Sequence, residues 1–295
     1  KQLLPNPALE DLYDKAVWVY VYRDFKNDES DRAAERISLR FGVTSWPQLF
    51  LADPATMEIL RHTGRSVASF RKAVGETRVE PAPTLDALAR IAAAEKRAVE
   101  LEKRPSRKLA RERLDDPDIV VRTRALEILA KKDPDTVVER AAELLRVPSD
   151  PFRYAVCNVL KEAEDPSAPP ALEAIVKAPQ NSLNPNVLRI RAVQALSTCG
   201  NAGSVAVIAP HAQSGAYFNG LTGISVDALA AIAKRHRDAR SAVKAALRKA
   251  YPPPGTDERS RRASLALAKR IHRAAGDPRP FPAVYDEKAR ARLME

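Results

Sequence analysis

The chain has 295 residues, enough for two domains of ordinary size, and its 45% hydrophobic and 29% charged content belongs to a globular protein rather than a disordered one. Two cysteines, 5% aromatics and no apolar run of membrane length argue against a disulfide scaffold, a cysteine zinc cluster and a membrane span. The net charge of +11 is uneven: residues 1–80 hold 12 basic and 12 acidic groups, residues 81–233 hold 20 and 19, and residues 234–295 hold 17 and 7.

In chain order, residues 16–22 are dense in β-branched and aromatic side chains and predict a strand buried on at least one face. Residues 23–30 are polar and end it. From Asp31, read as an N-cap, Ala34, Ile37, Leu39 and Phe41 recur near helical spacing, and Gly42 falls where a helix C-cap belongs. Pro47 opens a second strand over 48–52, which it can do because the first amide of a strand need not join a ladder. Residues 57–63 predict a third strand, reached through the Asp53-Pro54 turn, and Ser66 caps a helix carrying Val67, Phe70 and Val74.

Strand, helix, Pro-strand, hairpin and helix, with Phe41-Gly42-Val43 before the proline and Gly64 before the last helix, resembles the C-terminal two-thirds of a thioredoxin domain over residues 7–76. The resemblance implies that Pro47 is the family's cis-proline and that Trp46 presents its backbone to a substrate peptide. The family's central strand and Cys-x-x-Cys do not occur in this sequence, and residues 6–14 look like the tail of the helix that would follow the dithiol. The expectation is therefore a partial domain that begins downstream of a redox motif; a native start with a non-catalytic domain is the alternative.

Residues 80–83, Glu-Pro-Ala-Pro, break structure, and Thr84 caps an Ala- and charge-rich helical run to Lys103. Beyond it a helical motif recurs with its small residue at 125, 155, 192, 228 and 263, a period of 30–37 residues that points to a helical solenoid. Second helices are predicted at 137–145, 170–177, 205–211 and 239–250. The Asp-Pro-Asp-x-x-Val-Arg-x-x-Ala-Leu run at 116–126 resembles HEAT repeats, in which an Asp at the turn and an Arg in the inner helix tie neighbours together. Here Asp118 and Arg122 hold those places, Arg153 and Arg189 follow in later copies, and the fourth copy lacks the arginine. The fold class expected is α/β, partial thioredoxin-like, over 1–80, a linker helix over 81–104, an all-α HEAT-like solenoid over 105–275, and a C-terminal tail over 276–295.

No Gly-rich phosphate loop, serine nucleophile elbow or paired-cysteine motif occurs, and His62, His211, His236 and His272 lack metal spacing, so no catalytic residue, metal or cofactor is expected. Cys157 and Cys199 read as small buried hydrophobes, with a disulfide between them as the alternative. Lys234, Arg235, Arg237, Arg248, Lys249, Arg261, Arg262, Lys269 and Arg270 carry the basic excess, as a patch for an anionic partner or as the solvated face of terminal helices. Three functions follow: a dithiol oxidoreductase parent whose solenoid recruits substrates, a non-redox protein-binding scaffold, and a nucleic-acid binder acting through 234–295. Protein partners are favoured, and the compartment is not encoded in any recognised signal.

Overall fold

The computed structural model describes residues 6–15, 21, 29–43, 48–53, 59–64, 66–77, 85–178, 185–213 and 220–295. They fall into two compact units, residues 1–128 with 149–152, and residues 129–148 with 153–295.

The first unit begins with a 3₁₀ helix, Pro7–Lys15, started by the Asn6 side chain, which accepts a hydrogen bond from the Ala8 amide at 3.0 Å. Helix α1 (Glu29–Arg40) starts two residues before Asp31, which is buried inside its first turn rather than capping it. Its end was legible: Gly42 takes φ +63°, and the Val43 and Gly42 amides donate to the Ser38 and Leu39 carbonyls, closing the last turn as a left-handed glycine allows. Strands β1 (Leu49–Ala52) and β2 (Ile59–Thr63) pair antiparallel, Phe50 opposite His62, with an irregularity at Leu51/Ala52. Helix α2 (Val67–Glu76) starts on a reciprocal box in which Ser66 accepts from the Ser69 amide and the Ser69 hydroxyl accepts from the Ser66 amide.

Leu9, Leu12 and Phe70 form the core of this small assembly, with Leu51, Val67 and Val74 against them. Arg71 of α2 fixes the 3₁₀ helix by donating to the Ala8 carbonyl and the Asp11 carboxylate. The two-stranded sheet is the only one among the described residues. The predicted strand at 16–22 lies outside them apart from Val21, which belongs to no element, and so do Trp46, Pro47 and Thr84.

Helix α3 (Leu85–Lys103), α4 (Arg107–Arg113) and α5 (Ile119–Lys132) follow. The Asp-Pro-Asp turn before α5 works locally. Asp116 Oδ1 accepts from the Asp118 amide at 3.0 Å, and Asp118 Oδ1 accepts from the Val120 amide at 2.9 Å, which satisfies donors that a helix start leaves open.

In the second unit the helix expected at 137–145 is broken at Arg140 into α6 (Pro134–Glu139) and α7 (Ala141–Leu144). Helices α8 (Asp150–Ala163), α9 (Pro169–Lys177), α10 (Pro185–Cys199), α11 (Ala202–Ala212), α12 (Gly220–Arg235) and α13 (Arg240–Arg248) come next. Neighbours α10 and α12 pack together, as do α9, α11 and α13 in sequence, with Leu160, Leu172, Leu188, Leu196, Leu229 and Leu247 fully buried. Three of the five aligned small residues, Ala125, Ala192 and Ala228, are fully buried, where a larger side chain would hold neighbouring helices apart, while Ala155 and Ala263 are half-buried.

Helix α14 (Glu258–Ala275) departs from the expected fifth copy. Tyr251, three residues past α13, reaches His272 in the last turn of α14 at 3.2 Å, while the Gly255 amide donates to Ser264 near its beginning. The Tyr251–Gly255 stretch, including three consecutive prolines, therefore runs antiparallel alongside α14, which ends rather than begins beside the α13 C-terminus. The segment 276–295 is not a trailing tail. Helix α15 (Glu287–Met294) buries Ala289 and Leu293, the Tyr285 hydroxyl donates to the Pro252 carbonyl at 2.5 Å, and Arg290 donates to the Tyr251 carbonyl at 3.0 Å.

Candidate interaction surfaces

Within the first unit, charged side chains join α1, α3 and α5. Arg36 and Arg40 of α1 meet Glu95 at 3.0 and 3.5 Å, and Arg40 also meets Asp118 at 3.0 Å. Arg124 of α5 sits among Glu35, Glu102 and Glu127 at 3.2, 3.1 and 2.7 Å, with only 14% of its side chain exposed. Burial lowers the Arg124 pKa, but those three carboxylates outweigh it and hold the guanidinium above its ordinary range. Asp118, expected to tie one repeat to the next, thus binds Arg40 instead.

Asp116, which the sequence reading passed over as part of the turn, is the most enclosed carboxylate of this set. Its side chain is 2% exposed and receives a two-pronged pair from Arg97, at 2.7 and 2.9 Å, with Arg113 at 3.8 Å. Burial pushes its pKa up; Arg97, the Asp118 amide and Arg113 together pull it below the ordinary carboxylate range. Its spacing of 19 residues from Arg97, across a helix end and a complete short helix, left no periodic signal.

Arg122 stacks its guanidinium on the Phe152 ring, 5.5 Å from the centroid. Phe152 stands three residues before Ala155, as Arg122 stands before Ala125, so the true counterpart of Arg122 in the second copy is this phenylalanine. Arg153 lies one position out of register, half-buried in α8. Arg189 behaves as a repeat tie, donating from α10 to the Ala178 carbonyl at the end of α9 at 2.8 Å. Further ties in the second unit run from Thr198 to the Lys161 carbonyl, from Ser204 to Glu173 and from Gln213 to the Ala246 carbonyl.

The nine basic residues singled out near the C-terminus do not form one patch of free charge. Arg235 donates to the Ser197 and Gly200 carbonyls, satisfying the exposed acceptors at the end of α10. Arg248 donates to the Glu295 main-chain oxygen, Arg261 to the Gly255 and Thr256 carbonyls, Arg262 to Glu258, and Arg270 to Asp227 across α12 and α14. Lys234, Arg237, Lys249 and Lys269 are exposed. Lys234, Arg235 and Arg237 lie at the end of α12, whereas Arg261 and Arg262 lie at the start of α14 and Lys269 and Arg270 farther along it.

Cys157 and Cys199 are free thiols, both buried, and burial pushes their pKa values up to about 12 and about 11. They are packed as small hydrophobes, and the alternative disulfide does not form. His62 and His211 are both pushed below the ordinary imidazole range, chiefly by burial and, for His211, also by Arg189. Among the described residues no group of His, Cys, Asp and Glu is arranged to hold a metal ion, and no helix is long and apolar enough to cross a membrane.

A family model described as HEAT repeats matches residues 108–197. The matched segment is similar to HEAT repeats. The match begins in α4 and ends in α10, so it covers the Asp116-Pro117-Asp118 turn, the Arg122 position and the Arg189 tie. No curated protein matches the chain, and no solved structure matches it. Nothing in these comparisons supports a thioredoxin-like domain, while beyond the HEAT-like repeats α11, α12 and α13 continue the same helix-on-helix packing.

Proposed function

We propose that the chain is a protein-binding scaffold whose HEAT-like repeats present a partner surface. The observation that carries this reading is the HEAT-repeat match over 108–197, together with an interior built of buried leucines and alanines. The favoured surface is the row α9, α11 and α13. It exposes Ala174, Ala206, Ala242 and Ala245, small apolar side chains that lose little hydration or rotamer freedom when covered, with exposed charge confined to Lys177 and Arg240 at helix ends. The opposing helices α8, α10, α12 and α14 expose charged and amide groups such as Asn158, Arg191 and the Arg270–Asp227 pair, whose burial costs more.

A photocrosslinking amino acid placed at Ala174, Ala206 or Ala242, and for comparison at Asn158 or Arg191, tests this in the source cells. The expected result is one discrete protein adduct shared by the first three positions and absent from the other two. Adducts of equal strength from both rows, or none from either, would overturn the assignment.

A second reading concerns residues 1–80. A thioredoxin-like origin is supported by the order α1, β1, β2, α2 with the anticipated Gly42 and Ser66 caps, and it would make Trp46 and Pro47 a peptide-contacting edge, with 81–104 a linker helix and 105–275 the partner-recruiting solenoid. This chain's own two thiols are buried and held in the protonated form, so the reading assigns it peptide contact without dithiol exchange. Insulin-disulfide reduction by the purified chain should not exceed the background of the thiol reagent alone; a clear excess would refute that assignment.

A further inference from the structure

Helix α14 presents an unusual surface. Beyond Glu258, every position classed as exposed along it is Arg or Lys except Ala266. Arg259, Arg262, Ala266, Lys269 and Arg273 recur at intervals of three and four residues, which places them on one line along the helix. From Arg259 to Arg273 that line runs about 21 Å at 1.5 Å per residue. The opposite face is firmly set, with Ser260, Ser264, Leu267, Ala268 and Ile271 buried, so the ridge does not depend on side chains free to turn inward.

A solvent-facing helix that needs only to be soluble carries charges of both signs along its length. Here Lys269 and Arg273, four residues apart, place like charges on neighbouring turns, an arrangement that weakens a helix in isolation. Glu258 is paired with Arg262, Asp227 with Arg270 on the flank, and Asp257 caps the helix start. A dense anion laid along the ridge would relieve the repulsion.

We infer that α14 is a docking ridge for the phosphate backbone of duplex nucleic acid, bound without reading base sequence. The core of a protein interface is depleted of charge, whereas α14 exposes cations on both sides of a single alanine. A single strand would require stacking platforms, but Tyr251 is buried and Phe281 and Tyr285 stack on one another. A duplex backbone requires only cations in a row: about 21 Å spans roughly six base-pair steps at 3.4 Å each, and the small Ala266 lets the backbone approach midway. The ridge is a different surface from the α9, α11 and α13 row, so this inference and the scaffold reading can fail separately.

The test is fluorescence anisotropy of the full chain with a labelled 20-base-pair DNA duplex between 50 and 200 mM salt. The comparison variant carries Arg259→Gln, Arg262→Gln, Lys269→Gln and Arg273→Gln, which leaves Arg261 on its carbonyls and Arg270 on Asp227. The parent should bind with a logarithmic salt slope of about −4 or steeper, and the variant should lose at least tenfold in affinity at 50 mM salt and about three units of slope. Unchanged helicity by circular dichroism separates this loss from unfolding, and Lys234→Gln with Arg237→Gln should change affinity less than twofold. Comparable binding to an RNA duplex supports a phosphate-directed contact. Equal affinity of parent and variant, or parent binding to polyglutamate or phosphatidylserine vesicles but not to either duplex, overturns the inference.

Discussion

Asp116 shows how a single side chain can hold a structure yet escape a sequence reading. The Asp-Pro-Asp turn was legible, because aspartates that accept nearby amides favour turns and helix starts. Its pairing with Arg97 was not, since long-range pairing depends on how α3, α4 and α5 pack rather than on spacing. Replacing Asp116 by Asn should cost roughly 2–3 kcal/mol in urea unfolding, since it leaves the Arg97 fork without its charged acceptor at a site where the carboxylate is enclosed. The pH dependence follows from the direction of its shift. Because the folded carboxyl lies below the ordinary range, its contribution is present above the unfolded pKa near 4 and is lost as pH falls through the folded value. The Asn variant should therefore show a flatter loss of stability between pH 5 and 3 by urea titration. At Cys157 and Cys199 the sequence reading of buried small residues and the structure agree, and the chemistry follows from burial. Neither thiol should react with Ellman's reagent at pH 8 within the time that a free thiol takes to react completely, and both should react in 8 M urea; rapid native reaction would contradict the packing described.

At the scale of elements, local chemistry was the most readable layer. The Gly42 stop, the Ser66 start, the hairpin and the α-helical content beyond residue 105 all rest on interactions within a few residues, and these are written directly in the chain. The errors arose at element boundaries and at contacts that residue spacing does not fix. Asp31 entered α1 instead of capping it, the helix at 137–145 broke at Arg140, and the alignment at Ala263 marked a helix of similar composition that runs along the proline stretch in the opposite sense from it. Arg153 was chosen over Phe152 because charge was sought at a position where an aromatic ring supplies the contact to Arg122. The start of α14 is held by a reciprocal cap between Asp257 and Ser260. Asp257→Ala should destabilise the second unit by about 1 kcal/mol, read as a lower urea midpoint with an unchanged slope. A change in slope would instead indicate that α14 unfolds apart from α10–α13.

At the scale of the whole molecule, composition announced helices and the repeat period announced a solenoid, and the HEAT-repeat match over 108–197 supports that class. The uneven charge was also visible, but its meaning was not. Arginines that looked like one patch divide into those that satisfy carbonyls at helix ends and those that line α14, a distinction that only three-dimensional placement makes. Residues 276–295 are expected from sequence as a tail, whereas Tyr285, Arg290 and Leu293 fasten them to the second unit through two carbonyls and a buried side chain. The described helices of residues 129–148 and 153–295 belong to one compact unit, finished by this segment. Amide hydrogen exchange tests it most directly. The amides of Leu229, Leu267 and Leu293 should exchange together, with the free energy of global unfolding. Exchange at Leu293 within seconds, while Leu229 stays protected, would contradict it.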